Sequence, residues 1–108
     1  YSGYNDLSRR DAILPVACMA HIRRKFHEAQ DQDKARSSYI LEKIGYLYLI
    51  ERFCRNMHLS SEERKGLRGE HSILIMEQIK IWLINNRDQV LPKSAIGKAI
   101  NYAIGQWP

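Results

Sequence analysis

Cysteine is scarce in this sequence, with only Cys18 and Cys54 among 108 residues. Two thiols so far apart build no disulfide framework, which points to a reducing compartment, and the localisation expected is the cytoplasm. Long apolar runs are missing too. Stretches such as Ile73-Leu74-Ile75-Met76 fall far short of the roughly 20 residues that span a bilayer, so no membrane role is expected. No signal peptide opens the chain, and Tyr1 is not a start methionine. Both ends are therefore expected to be cuts within a longer protein. The common catalytic signatures are absent as well. There is no Gly-rich phosphate loop, no Ser-containing nucleophile elbow and no His-Glu-x-x-His helix. Glu62 and Glu63 sit at a helix start, and Glu28, Glu42, Glu51, Glu70 and Glu77 lie on largely polar faces. No two of these acids share an apolar frame that would tune one as acid and the other as base.

What is present suits a small helical domain with a real core. Hydrophobic residues make up 44% and charged residues 27%, the balance of a folded chain rather than a disordered one. Seventeen Lys and Arg against twelve Asp and Glu leave a net charge of +5. Such an excess favours acidic partners, nucleic acid first among them, although many helical domains carry it without binding DNA.

Along the chain, Tyr1 to Leu7 fits a short turn or helix, and Arg9-Arg10-Asp11 a charged connector. The apolar run Ile13–Met19, with Pro15 inside it, predicts an edge strand whose sheet would lie outside this sequence. From Ala20 the period turns helical, with Ile22, Phe26 and Ala29 on one stripe. Ser37 or Ser38 is the expected cap of a second helix, with Ile40, Leu41, Ile44, Leu47 and Tyr48 inside and an end near Asn56. Ser60-Ser61-Glu62-Glu63 starts a third helix, and a break is expected near Gly66 or Gly69. Ile75, Met76, Ile79, Trp82 and Leu83 form the next stripe. Ser94 caps a last helix with Ile96, Ala99, Ile100, Ala103 and Trp107 inside. The fold class predicted is mainly α, a bundle-like packing of four to five helices, with a short extended N-terminal segment. Residues 1–19 would be the remnant of a sheet edge and 20–108 a helical region. The expected core includes Phe26, Ile44, Leu47, Ile79, Trp82, Leu83, Ile100 and Trp107.

The densest polar feature is Cys18-Met19-Ala20-His21-Ile22-Arg23-Arg24-Lys25-Phe26. Its basic side chains, with nearby His27, are suited to neutralising phosphates. They suit equally a solvated helix face opposite Ile22 and Phe26. Cys18 with His21, and Cys54 with His58, carry spacings used by zinc ligands, but both thiols have apolar neighbours among which a reduced cysteine packs well. No metal site is expected from them. The tyrosines Tyr1, Tyr4, Tyr46, Tyr48 and Tyr102 read as core and rim aromatics rather than stacking platforms.

The ordered set of short blocks is more specific. Tyr1-Ser2-Gly3-Tyr4-Asn5, then Cys18-x-Ala20-His21-x-Arg23-Arg24-Lys25-Phe26, resembles the transposases of the IS sixty-six family of insertion sequences. The resemblance continues through Gly45-Tyr46-Leu47-Tyr48, Ile50-Glu51, Ser61-Glu62-Glu63-Arg64 and Pro92-Lys93-Ser94. It closes on Gly97-Lys98-Ala99-Ile100-x-Tyr102-Ala103-x-x-Gln106-Trp107. Met19 stands where the family usually has Trp, and Gly105 where it often has Asn.

The resemblance implies a bacterial acid-triad enzyme on a ribonuclease-H-like fold, in which two Asp and one Glu hold divalent metal, magnesium, for phosphoryl transfer. In the family pattern the second Asp precedes the tyrosine matching Tyr1. The Glu follows the tryptophan matching Trp107, in an Asn-Asn-x-x-Glu-Arg block. The chain then covers the helical stretch between two catalytic acids and holds no catalytic residue. Its expected partner is DNA at the ends of the insertion sequence. His21, Arg23, Arg24 and Lys25 are the expected phosphate contacts, close to where DNA approaches the metals. One rival expectation is a protein–protein interaction module that binds an accessory protein of the element or a second transposase copy. Another is a small basic DNA-binding regulator, disfavoured because no compact helix-turn-helix pair with a basic recognition helix is evident.

Overall fold

A computed structural model describes residues 16–108. The turn or helix expected over Tyr1–Leu7 and the connector at Arg9–Asp11 lie outside the described residues. Five α-helices follow in order: α1 (Val16–Glu28), α2 (Lys34–Asn56), α3 (Ser61–Leu67), α4 (Ile73–Arg87) and α5 (Ala95–Gln106). A π turn, Arg68–Ser72, joins α3 to α4. Among the described residues there is no strand.

The strand expected over Ile13–Met19 is corrected in its second half. Val16 to Met19 form the first turn of α1, and residues 13–15 lie outside the described part. Met19 falls on the same helical face as Ile22 and Phe26, and all three are buried in one cluster. Burial against other helices replaces pairing in a sheet. Val16–Met19 thus join the helical unit expected from residue 20 onward.

The second helix also starts earlier than expected. Asp33, not Ser37 or Ser38, is its cap, and its carboxylate accepts the Arg36 N–H at 3.2 Å. Ser37 is instead fully buried, and its hydroxyl has no hydrogen-bond partner among the described residues. From Asp33, α2 runs 23 residues to Asn56, with Ile40, Ile44, Leu47 and Cys54 on its inner face. It ends where His58 takes a left-handed φ of 53°. Leu59 N–H then donates to the Cys54 carbonyl and His58 N–H to the Arg55 carbonyl, the paired bonds of a Schellman stop.

The Ser60 start is a full capping box. Glu63 N–H donates to Ser60 Oγ at 3.1 Å, and Ser60 N–H to Glu63 Oε1 at 2.9 Å. The break expected at Gly66 or Gly69 does not occur. Both glycines are exposed within continuous helix, and the chain passes through the wider π turn into α4. Without a turn residue that must leave the helix, two glycines weaken it but do not end it.

Four helices close into a ring in which α1 packs on α2 and α5, and α4 on α2 and α5. The shared core holds Ile22, Phe26, Ile40, Ile44, Ile79, Leu83, Ile96 and Ile100, all essentially inaccessible. Trp82 and Trp107 are only half-buried at its rim. The Trp107 indole N–H reaches the Met76 carbonyl at 3.3 Å, while Trp82 stacks on Tyr39 with centroids 5.2 Å apart. An indole N–H needs an acceptor, which a fully apolar centre does not offer.

Polar contacts fix one end of the ring. Arg36 donates to Asp33 at 2.9 Å, to Asn86 at 2.9 Å and to Gln89 at 3.0 Å, tying the start of α2 to the end of α4. Gln32 accepts the Ile96 N–H at 2.8 Å, so the turn after α1 holds the start of α5. Ser94 caps α5 as expected, accepting the Gly97 N–H at 3.1 Å.

Gly97 lies where the Leu91–Pro92 backbone crosses the first turn of α5. A Cβ there would collide with the Leu91 carbonyl oxygen and come within 3.0 Å of the Pro92 oxygen. Replacing Gly97 with Ala should destabilise the fold by about 1–3 kcal/mol, the range for overpacking against atoms that cannot yield. Gly45, mid-way along α2, has nothing within 4 Å of such a Cβ. Gly45→Ala should therefore stabilise by about 0.5–1 kcal/mol. Urea unfolding of the two variants, read by circular dichroism, checks the opposite signs.

Candidate nucleic-acid interface

The basic block lies on α1, which is held down by Met19, Ile22, Phe26 and Ala29. At about 100° per residue, those four anchors leave the remaining arc of the helix to solvent. His21, Arg23 and Arg24 are exposed on it, and Lys25 is half-buried. The four do not form one patch. His21 and Lys25, one turn apart, fall on the flank toward α5. Arg23 shares the opposite flank with His27, and Arg24 lies between, facing outward.

The structure ties down one of these cations. The Lys25 ammonium sits over the Tyr102 ring of α5, 4.8 Å from its centroid. The Cys18 thiol lies 3.7 Å from Gln106 Oε1 across the same antiparallel seam. Tyr102 therefore orients Lys25, a role the sequence alone did not reveal. No local signal could have found it, because nothing in one helix says which helix lies beside it. His27 Nδ1 lies 3.2 Å from Gln30 Oε1.

Among the described residues the ion pairs are Arg36–Asp33 and Arg68–Glu51, so Arg23 and Arg24 have no ionic partner there. A guanidinium that is exposed, unpaired and rooted on a rigid helix is suited to two-pronged contact with a phosphate.

Cys18, His21, Cys54 and His58 are not brought together. Cys54 is buried on the inner side of α2, and His58 stops that helix. Among the described residues no three His, Cys, Asp or Glu side chains converge as metal ligands.

The clearest electrostatic feature lies elsewhere. Glu51 of α2 receives two charge-assisted hydrogen bonds from Arg68 in the π turn, at 2.6 and 2.7 Å. These bonds hold the Glu51 carboxyl below the ordinary carboxylate range, against the opposing effect of partial burial. The same bonds raise Arg68.

The described residues form a helical bundle with a basic outer helix, and comparison with known proteins gives its family. The family model described as "Transposase IS66 family" matches residues 1–108, and the chain belongs to that family. Uncharacterized protein y4jD of Sinorhizobium fredii (strain NBRC 101917 / NGR234) is 31% identical over 114 residues, covering 99% of this chain and 22% of that protein. Uncharacterized protein y4hP of the same strain is 27% identical over 124 residues, with the same two coverages of 99% and 22%. The chain thus spans about a fifth of the length of these curated relatives. No solved structure matches it at a significant level. No helix of the described part is long and apolar enough to cross a membrane.

The Arg68–Glu51 pair yields a pH test. Folding lowers the Glu51 pKa, so the pair contributes stability above the ordinary carboxylate range. That contribution is lost as pH falls through the lowered folded value. Glu51→Gln should cost less than about 1 kcal/mol at neutral pH, because the pair is partly solvated. The difference from wild type should shrink toward zero in acid, as thermal unfolding across pH would show.

Proposed function

We propose that these residues are a scaffolding and DNA-contacting part of a transposase, acting in DNA transposition without carrying its catalytic groups. In this reading His21, Arg23, Arg24 and Lys25 meet phosphates of the insertion-sequence ends. The observation that supports it most is the pair Arg23 and Arg24, exposed on a helix rooted in the core and without ionic partners among the described residues. Contact of this kind positions the duplex without reading its bases. The net charge of +5 adds a long-range attraction in the same sense.

Catalysis belongs, in this reading, to acids and divalent metal supplied by polypeptide outside these residues. The 108-residue chain should therefore cleave no DNA with magnesium or manganese. Cleavage abolished by a point mutation within the chain would contradict this.

Binding to DNA should be weak, indifferent to sequence and steeply salt-dependent, since each neutralised phosphate releases a counterion. An Arg23→Ala, Arg24→Ala double variant should bind less tightly by a similar factor on unrelated duplexes. Its log–log salt slope should be flatter by roughly 1 for each phosphate that is no longer neutralised. Both side chains are exposed, so the unfolding transition should not move, which separates weaker phosphate binding from unfolding. Superimposable binding curves at two salt concentrations would mean that the arginines only solvate the helix.

A further inference from the structure

The second half of α2 carries an apolar stripe on the side away from the core. Tyr46, Leu49, Phe53 and Met57 follow the helical period on that side and are 42%, 52%, 50% and 56% exposed. Leu49, Ile50 and Phe53, with Leu67 from α3, floor an open groove of about 510 Å³ whose edges carry Arg52 and His71. Side chains of this size present on the order of 200 Å² each when free, so roughly 400 Å² of contiguous apolar surface stays open. That is the extent of the largest apolar patch on a typical small protein, which is often a functional one.

The charges around the groove select the occupant. Arg52, the fixed cation of its lining, has no ionic partner among the described residues, and His71 on the same lining adds a hydrogen-bonding imidazole. The nearby acids are engaged or lie off the groove. Glu51 is held by Arg68, Glu42 accepts the Tyr46 hydroxyl at 2.9 Å, and Glu70 does not line it. A second copy is a poor fit. Stripe against stripe would bury roughly 800 Å², below the roughly 1,200 Å² of a stable interface. It would also bring Arg52, on the flank of the stripe, toward its own copy, and like charges facing each other oppose association.

A segment tethered to the same polypeptide needs far less area, because its effective concentration is high. The curated relatives, of which this chain covers 22%, have ample further length to supply one. We propose that the Tyr46–Met57 stripe is the docking face for an amphipathic helix with acidic flanks, contributed by the polypeptide beyond these 108 residues. The helix lays its apolar side along Leu49, Phe53 and Leu67 and sets carboxylates against Arg52 and His71.

Hydroxyl-radical footprinting read by mass spectrometry tests this on the 108-residue chain and on the full-length polypeptide that carries it. Phe53 and Met57 should be oxidised on the order of tenfold less in the longer polypeptide, as for side chains moved to the dry centre of an interface. Protection should be independent of protein concentration. It should weaken severalfold when Arg52→Glu is introduced, an exposed change that leaves the helix content of the short chain unaltered. Equal oxidation in the two polypeptides would overturn the proposal. So would protection that grows with concentration, which means a second copy, or protection indifferent to Arg52→Glu, which means an occupant without acidic flanks.

Discussion

The bundle depends on how closely α5 can approach its neighbours. Its inner face, Ile96, Gly97, Ala99, Ile100 and Ala103, is built mainly from small residues and is entirely buried. Small side chains let one helix pack on α1 and α4 together and close the ring. Gly97 sets the limit of that approach, since the Leu91 carbonyl occupies the space a side chain would need. Gln32 and Ser94 accept the N–H groups of Ile96 and Gly97, the two buried residues in the first turn of α5.

Everything placed on α1 follows from this closure. The antiparallel α1–α5 seam sets Tyr102 under Lys25 and Gln106 beside Cys18. It leaves Arg23 and Arg24 on the side of α1 that no other described helix covers. Rigidity of the supporting helix matters for phosphate contact, because a cation already held in place loses less entropy on binding. Lys25 is the more restrained and the arginines the more open. The block thus divides into an anchored cation and two that have no ionic partner among the described residues, rather than acting as a uniform patch.

The half of α2 beyond Leu47 behaves differently. The π turn packs against it through Glu51, while Tyr46, Leu49, Phe53 and Met57 stay exposed among the described residues. Arg68 clamps the π turn to α2 through Glu51, which engages the acid between the groove residues Ile50 and Arg52 in sequence. A local ion pair therefore shapes the charge that a visiting helix would meet.

Local rules made much of this legible in advance. The stripes containing Ile22, Phe26, Ile44, Ile79 and Ile100 gave the helices and their inner faces, because a period of about 3.6 residues has one reading. The Ser60 and Ser94 caps were readable because capping acts across only about three residues. The candidate phosphate contacts on α1 were likewise plain as residue types, though not as a surface. What failed were the places where distant packing outweighs local preference. Val16–Met19 is helical because Met19 finds the same core as Phe26, and Gly66 and Gly69 stay helical because the chain continues through the π turn. Asp33 rather than Ser37 caps α2 while Arg36 reaches across to α4. The sequence by itself determined the main helical stripes, their Ser60 and Ser94 caps and the position of the basic block, since these depend on neighbours a few positions away. Only the tertiary structure decided which cations are pinned, which thiols lie apart and which apolar face stays open, because each depends on a helix dozens of residues distant.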